Sequence, residues 1–169
     1  LGDVQTSLAV FFRGLGGDPA LTLTPASNRS SGHRLTFKQR IGMDDERLAL
    51  SCRDERSLSL PERIDHFPDA ALNRDLYFWL AAYFTALTPS AIAPANRFMA
   101  DLDFLQRATM ASRQVLALYP GMRERYRRLC AGLLALRPKR SLRGIEGKVE
   151  ELVLTLLENP TQNIGALSA

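Results

Sequence analysis

The chain has 169 residues, which is enough for one domain with a core of its own. Its composition, 46% apolar and 24% charged, is ordinary for a globular protein and excludes a disordered or fibrous chain. The formal net charge of +4 is a mild excess and falls short of the concentrated positive charge of a dedicated nucleic-acid binder.

The chain opens with the pattern of an amphipathic helix. Asp3 is a suitable N-cap, and apolar residues recur at helical spacing from Val4 to Leu15. The pair Gly16-Gly17 then ends the helix. A helix C-terminus exposes carbonyl groups, which repel phosphate, so these glycines predict a cap and not a phosphate-binding loop.

The next part of the chain predicts a small antiparallel β-meander of three to four strands. Side chains alternate between apolar and polar over 33–41 and again over 47–53, and the turn-rich segment 42–46 between them is typical of a hairpin loop. Short alternations at 21–23 and 58–60 complete the set of candidate strands. One face of this meander is expected to be solvated.

From Pro68 onward the pattern is helical. Asp69 is placed to cap a helix that runs to about Leu87, and a longer helix follows at about 98–119. Two more are predicted at 122–136 and 145–156, between proline and glycine breaks. We therefore expect an α+β fold with an N-terminal helix, the meander and a bundle of about four helices. The expected division is a single domain, 1–169, with a helix-plus-meander part at 1–67 and a helical part at 68–169.

Several site chemistries find no support in the sequence. His33 and His66 have no cysteine or second histidine at metal-ligand spacing, so no metal site is expected. His66 is interpreted as a surface or hydrogen-bonded loop residue. No nucleophile with a paired base stands out, and we expect no catalytic residue, no bound cofactor and no enzyme activity.

Location is inferred from what the chain lacks. No segment reaches the roughly 18 unbroken apolar residues of a membrane helix, and no basic run leads into an apolar core at the N-terminus. Cys52 and Cys130 lie far apart at apolar positions, which favours two buried thiols and a reducing compartment. The cytoplasm is the expected location.

Basic residues cluster in two places, and each cluster has two interpretations. The predicted hairpin carries Arg34, Lys38, Arg40, Arg47 and Arg53. The later helices carry Arg123, Arg125, Arg127, Arg128 and the segment 137–148. Each cluster either forms a binding patch or belongs to a solvated face, and we favour the solvated face for the hairpin. An anionic protein surface is favoured over nucleic acid as a partner.

Three segments together resemble the N-terminal region of the CbbO/NorD family. They are LAVFFRGLGGDPAL, HRLTFKQRIG with ERLAL, and the most specific, LSLPERIDHFPDAALNRDLYFWLAA. The resemblance implies an adaptor of a hexameric MoxR-type AAA+ ATPase, with an N-terminal region that docks on the ring. It also implies a C-terminal von Willebrand factor A domain that binds a divalent metal, and we expect that domain to lie outside this chain. ATP would be bound by the partner ATPase.

Within the family, the HRLTFKQRIG hairpin favours the CbbO branch. That branch implies the partner CbbQ and the activation of inhibited Rubisco in carbon fixation, with carboxysome association open. The alternatives are a NorD-type adaptor that acts with NorQ on nitric oxide reductase, or a basic nucleic-acid-binding module.

Four residues within the most specific segment are the candidate partner contacts: Arg63, Phe67, Arg74 and Tyr77. Interface energy concentrates in buried aromatic residues and arginines, which motivates the choice. For Phe67 and Tyr77, retention for core packing is an equal alternative.

Overall fold

The computed structural model describes residues 1–26, 35–36, 51–53, 57–88, 97–137 and 143–159. Its elements in chain order are α1 (Gln5–Gly14), β1 (Thr22–Pro25), β2 (Leu35–Thr36), β3 (Cys52–Arg53), β4 (Ser57–Leu60), α2 (Ala70–Ala86), α3 (Arg97–Leu118), α4 (Met122–Leu136) and α5 (Gly144–Glu158). The chain divides into two compact units, Leu1–Thr85 and Ala86–Ala169. The expected combination of helices with a small sheet is present.

Helix α1 begins differently from the expectation. Asp3 lies inside a 3-10 turn over Gly2–Val4, and the N-cap of α1 is Val4, which makes no side-chain capping bond. The turn itself supplies an acceptor, because the N–H of Gln5 donates to the carbonyl of Gly2. The prediction that Asp3 caps the helix is therefore wrong.

The end of α1 is the glycine cap that the sequence predicts. The N–H of Gly16 donates to the carbonyl of Arg13 at 3.0 Å, and the N–H of Gly17 donates to the carbonyl of Phe12 at 2.9 Å. This pair of bonds is the Schellman arrangement, which requires a left-handed residue after the helix. Gly16 supplies it with a φ of 77°.

The sheet is mixed and is not the antiparallel meander that the sequence predicts. The strand order is β1-β4-β3-β2, and β1 runs parallel to β4. The register places Leu23 beside Leu58, both buried, and Thr24 beside Ser59, whose hydroxyl oxygens lie 3.1 Å apart. Alternation identifies a strand but not its neighbour, and the long stretch between β1 and β4 permits a parallel return.

The remaining strand pairs are antiparallel. Leu35 pairs with Arg53 and Thr36 pairs with Cys52, which confirms that these two segments face each other. Strand β3 pairs antiparallel with β4. The predicted hairpin loop at 42–46 lies outside the described residues.

Helix α2 is buried on nearly every side. The consecutive residues Leu80, Ala81, Ala82, Tyr83 and Phe84 are each at most 1% exposed. A helix buried all round, and not along one stripe, lies within a core. The run of apolar and aromatic residues from Leu76 to Phe84 is therefore explained by the position of α2 in its unit.

Helix α2 contacts both α1 and β3 within the first unit. The rings of Phe11 in α1 and Phe78 in α2 meet edge to face with centroids 5.1 Å apart. A guanidinium nitrogen of Arg53 in β3 donates to the carbonyl of Phe84 at 2.6 Å. Arg53 belongs to the basic cluster of the predicted hairpin, and in the structure its guanidinium bonds to the backbone of α2.

The second unit contains α3, α4 and α5, which pack against one another. Their bounds confirm the helices expected at 98–119, 122–136 and 145–156. Arg137 at the end of α4 holds Glu150 of α5 by two parallel bonds of 2.7 Å. Among the helices in the described ranges, none has the length and apolar character needed to cross a membrane.

Candidate docking surface

The motif segment, which we define as residues 61–77, connects β4 to the first half of α2. In the connector, which we define as the part of this segment that precedes α2 (residues 61–69), buried apolar side chains alternate with exposed charged ones. Ile64 is 7% exposed and Phe67 is 3% exposed, whereas Glu62, Arg63 and Asp65 face solvent. Burying the apolar side chains fixes the path of a segment that has no regular secondary structure. The exposed charged side chains are therefore attached to a backbone whose position is fixed.

Asn73 holds the connector to α2. Its side-chain oxygen accepts the N–H of Phe67 at 2.8 Å, and its side-chain nitrogen donates to the carbonyl of Phe67 at 2.7 Å. Both backbone groups of a buried residue are thus satisfied by one side chain. Asn73 belongs to the most specific segment of the resemblance, but the sequence alone assigns it no role. The feature that could have identified it is a polar residue in the first turns of a largely apolar helix.

The start of α2 is capped as the sequence predicts. A carboxylate oxygen of Asp69 accepts the N–H of Ala71 at 2.8 Å. This bond satisfies one of the donors that a helix start leaves without an intrahelical partner, and the negative charge lies at the positive end of the helix dipole. Asp69 and Asn73 together fix the angle at which the chain enters α2.

Tyr77 joins the other end of the connector to the helix. Its hydroxyl donates to the carbonyl of Pro61 at 2.9 Å and lies 3.1 Å from the carbonyl of Glu62. Burial raises the pKa of Tyr77 to about 12, so the phenol stays protonated and remains a donor at neutral pH. Tyr77 is 5% exposed.

The four candidate contacts fall into two pairs. Arg63 is 78% exposed, and its Nε lies 3.4 Å from a carboxylate oxygen of Asp65. Arg74 is exposed in the second turn of α2. Phe67 and Tyr77 lie in the core and hold the connector. Partner binding by these residues stays a prediction, in which the arginines make the contact and the aromatic residues position them.

The described residues also bear on metal binding and nucleophilic chemistry. Over the described ranges there is no group of three or more His, Cys, Asp or Glu side chains that could hold a metal ion. His66 is half-buried with its ring edge against Phe67. Burial raises the pKa of the Cys130 thiol to about 11, which leaves it protonated and a poor nucleophile at neutral pH.

The chain is similar to several proteins named NorD. It is 44% identical over 159 residues to Protein NorD of Brucella abortus (strain 2308) and 43% identical over 159 residues to that of Brucella suis biovar 1 (strain 1330). It is 32% identical over 161 residues to Protein NorD of Stutzerimonas stutzeri. These matches cover 94%, 94% and 95% of this chain and 25%, 25% and 24% of the relatives.

The chain therefore spans about a quarter of the length of the curated relatives it matches. No family profile and no solved structure matches it.

The comparisons correct the branch within the family. The expectation of a CbbO protein, a Rubisco activase with the partner CbbQ in carbon fixation, is wrong, because the similar proteins carry the name NorD. Carboxysome association and a link to Rubisco followed from the CbbO assignment and are therefore not supported. The preference for CbbO rested on one short hairpin, whereas the similarity extends over 159 residues. This similarity supports a family of the CbbO/NorD type, with NorD as the name its relatives carry.

Proposed function

We propose that this chain is the docking region of a NorD-type adaptor. In this proposal it binds a hexameric MoxR-type AAA+ ATPase of the NorQ kind, and the adaptor acts in the activation of nitric oxide reductase. The observation that carries the proposal is the similarity to NorD proteins over 94% of the chain. The ATPase partner and the reductase come from the resemblance to the NorD branch.

The geometry of the motif segment suits a docking role. Arg63 and Arg74 are exposed, while Phe67, Asn73 and Tyr77 fix the backbone beneath them. A surface whose backbone is already ordered loses less conformational entropy on binding, which raises affinity for a given contact area. Arginine is also enriched among the residues that dominate interface energy.

The proposed role assigns no reaction to this chain. ATP is bound and hydrolysed by the ring, and the adaptor contributes a difference in affinity between the nucleotide states of that ring. A ligand that binds two states with equal affinity does not shift the equilibrium between them. The mechanism therefore requires this difference in affinity. A von Willebrand factor A domain with a divalent metal elsewhere in the protein stays a prediction.

The test is a binding measurement with the purified NorQ-type ATPase of the same organism. The ring is prepared without nucleotide, with ADP and with a non-hydrolysable ATP analogue, and the chain is titrated against each form. We expect binding in at least one form, and an affinity that differs by at least about tenfold between forms. The ATPase rate is expected to change when the chain is added.

Two results would contradict the proposal. One is the absence of association in every nucleotide state, with a folded chain and an active ATPase. The other is equal affinity in all states together with an unchanged ATPase rate, because such a ligand cannot couple ATP turnover to a target.

A further inference from the structure

The net positive charge of the chain comes from its second unit. Residues 1–85 hold 10 basic and 11 acidic side chains, whereas residues 86–169 hold 12 basic and 7 acidic side chains. The first unit is therefore nearly neutral, and the second carries the whole excess. A charge excess of this kind attracts a partner of opposite sign and speeds its association.

Part of this charge lies at the junction of α3 and α4, which we call the basic corner and define as residues 118–128. It contains four arginines and one glutamate: Arg123, Arg125, Arg127, Arg128 and Glu124. Three of the arginines, Arg123, Arg127 and Arg128, are exposed. Leu118 at the end of α3 is 60% exposed and adds an apolar side chain to the same corner.

The backbone of the corner is tightly held. The N–H of Tyr119 donates to the carbonyl of Val115 at 2.8 Å, and the N–H of Met122 donates to the carbonyl of Tyr119 at 2.9 Å. Met122 is 3% exposed and anchors the first turn of α4 in the core of the second unit. The turn thus has little freedom to lose on binding.

Arg123 completes the end of α3. Residue 120 is proline, which has no N–H, so the carbonyl of Leu116 cannot receive its usual bond from four residues onward. Nε of Arg123 donates to that carbonyl at 3.2 Å. The cation also lies at the negative end of the α3 dipole, which is a favourable position. Arg123 therefore stabilises the corner, while Arg127, which pairs with Glu124, and Arg128 are exposed on α4.

We propose that the basic corner binds an acidic surface on the AAA+ ATPase ring, as a second contact separate from the motif segment. This inference rests on the proposed function for the identity of its partner. The corner combines an exposed leucine with exposed arginines, and protein interfaces likewise combine apolar side chains with polar and charged groups.

A nucleic acid fits the corner less well. Glu124 lies among the arginines and pairs with Arg127 at 2.7 Å, so a carboxylate occupies the place where a phosphate would have to approach. Leu118 offers a nucleic-acid backbone no favourable contact. A protein surface can place a cation or an amide opposite Glu124 and an apolar group opposite Leu118.

The test compares two double substitutions that remove the same charge. Arg127→Gln with Arg128→Gln changes the corner, and Arg143→Gln with Lys148→Gln changes exposed residues at the start of α5. Leu118→Ser removes the apolar contact alone. Affinity for the purified ATPase ring is measured at roughly 50 mM and roughly 300 mM salt, and thermal unfolding checks that each variant is folded.

We expect the corner variant to bind at least about tenfold more weakly at low salt and to lose most of its salt dependence. The α5 variant should change affinity by less than about threefold, because its charges lie outside the interface. Leu118→Ser should weaken binding severalfold while the salt dependence remains. Equal effects of the two double substitutions would overturn the inference, since they would indicate attraction by net charge alone.

Other outcomes separate the two proposals. If the wild-type chain binds the ring and all three variants bind as tightly, this inference fails while the proposed function stands. If the wild-type chain does not bind the ring in any nucleotide state, both fail. Binding to duplex DNA or RNA that is tighter than binding to the ring, and is lost in the corner variant, would also overturn the acidic-protein assignment.

Discussion

The motif segment and the basic corner both display arginines from a rigid support, but the supports are built differently. In the motif segment, the side chains of Asn73 and Tyr77 bond to the backbone of an irregular connector. In the corner, two helices meet through backbone bonds and a buried methionine. The first support depends on particular buried side chains, whereas the second depends mainly on helix geometry. Substitution should therefore harm the motif segment far more than the corner surface.

The largest loss is expected from Phe67→Ala. Removing a phenyl ring that is 3% exposed leaves a cavity beneath the connector, and such changes lower the free energy of unfolding by about 3 to 5 kcal/mol. Denaturant unfolding followed by circular dichroism measures this loss. Pro68→Ala, at the exposed neighbouring position, is the control and should have a much smaller effect. Similar losses for both variants would show that Phe67 is not an anchor.

A site that depends on particular side chains also occurs in the second unit, away from the corner. Arg137 and Glu150 are 8% and 18% exposed and share two bonds. Arg137→Met removes the guanidinium that faces a partly buried carboxylate, and we expect a loss of about 3 kcal/mol in the free energy of unfolding. The double variant Arg137→Met with Glu150→Leu should recover most of it. A double variant as unstable as the single one would contradict this explanation.

A smaller effect is expected at Asn73. Asn73→Ala leaves the N–H and the carbonyl of Phe67 without their side-chain partner, and each unsatisfied buried group costs about 1 to 3 kcal/mol, partly recovered where water enters. We expect a loss of about 2 kcal/mol in the free energy of unfolding. Asn73→Asp keeps the acceptor for the N–H and loses the donor, so its loss should be intermediate. Equal stability of the alanine variant and the wild type would show that Asn73 does not stabilise the connector.

A further effect appears only at alkaline pH and is absent at neutral pH. The pKa of Tyr77 is about 12 in the folded chain, and an unfolded tyrosine has a pKa of about 10. The folded state therefore holds the proton more tightly, and the contribution of Tyr77 is complete below pH 10. Between about pH 10 and 12 it is lost at up to about 1.4 kcal/mol per pH unit. Tyr77→Phe should show a shallower decline over this range, and an identical slope would contradict the burial of the phenol.

The helices were largely predictable from the sequence because local signals mark their ends. Pro120 and Gly121 separate α3 from α4, and the bond from Ala71 to Asp69 begins α2 where the sequence expects it. The pairing of β1 with β4 was not predictable, since it joins segments far apart in the chain. The local period of a strand carries no information about its neighbour.

The candidate docking surface was predictable only in part. The motif pointed to Arg63, Phe67, Arg74 and Tyr77, but burial separates the two aromatic residues from the two arginines. An aromatic residue has the same preference for a core as for an interface, because both are apolar and closely packed. The hairpin was also a poor basis for preferring the CbbO branch. A short hairpin carries less information than similarity along the whole chain.

The central claim is that the motif segment docks on the ATPase ring, and one titration tests it most directly. The ring is titrated with wild-type chain and with Arg63→Gln, Arg74→Gln and Arg13→Gln, the last being an exposed arginine in the same unit outside the motif segment. We expect Arg63→Gln and Arg74→Gln each to weaken binding by at least about tenfold, with unchanged thermal stability. Arg13→Gln should bind like the wild type. Equal affinities for all four chains would contradict docking through this surface.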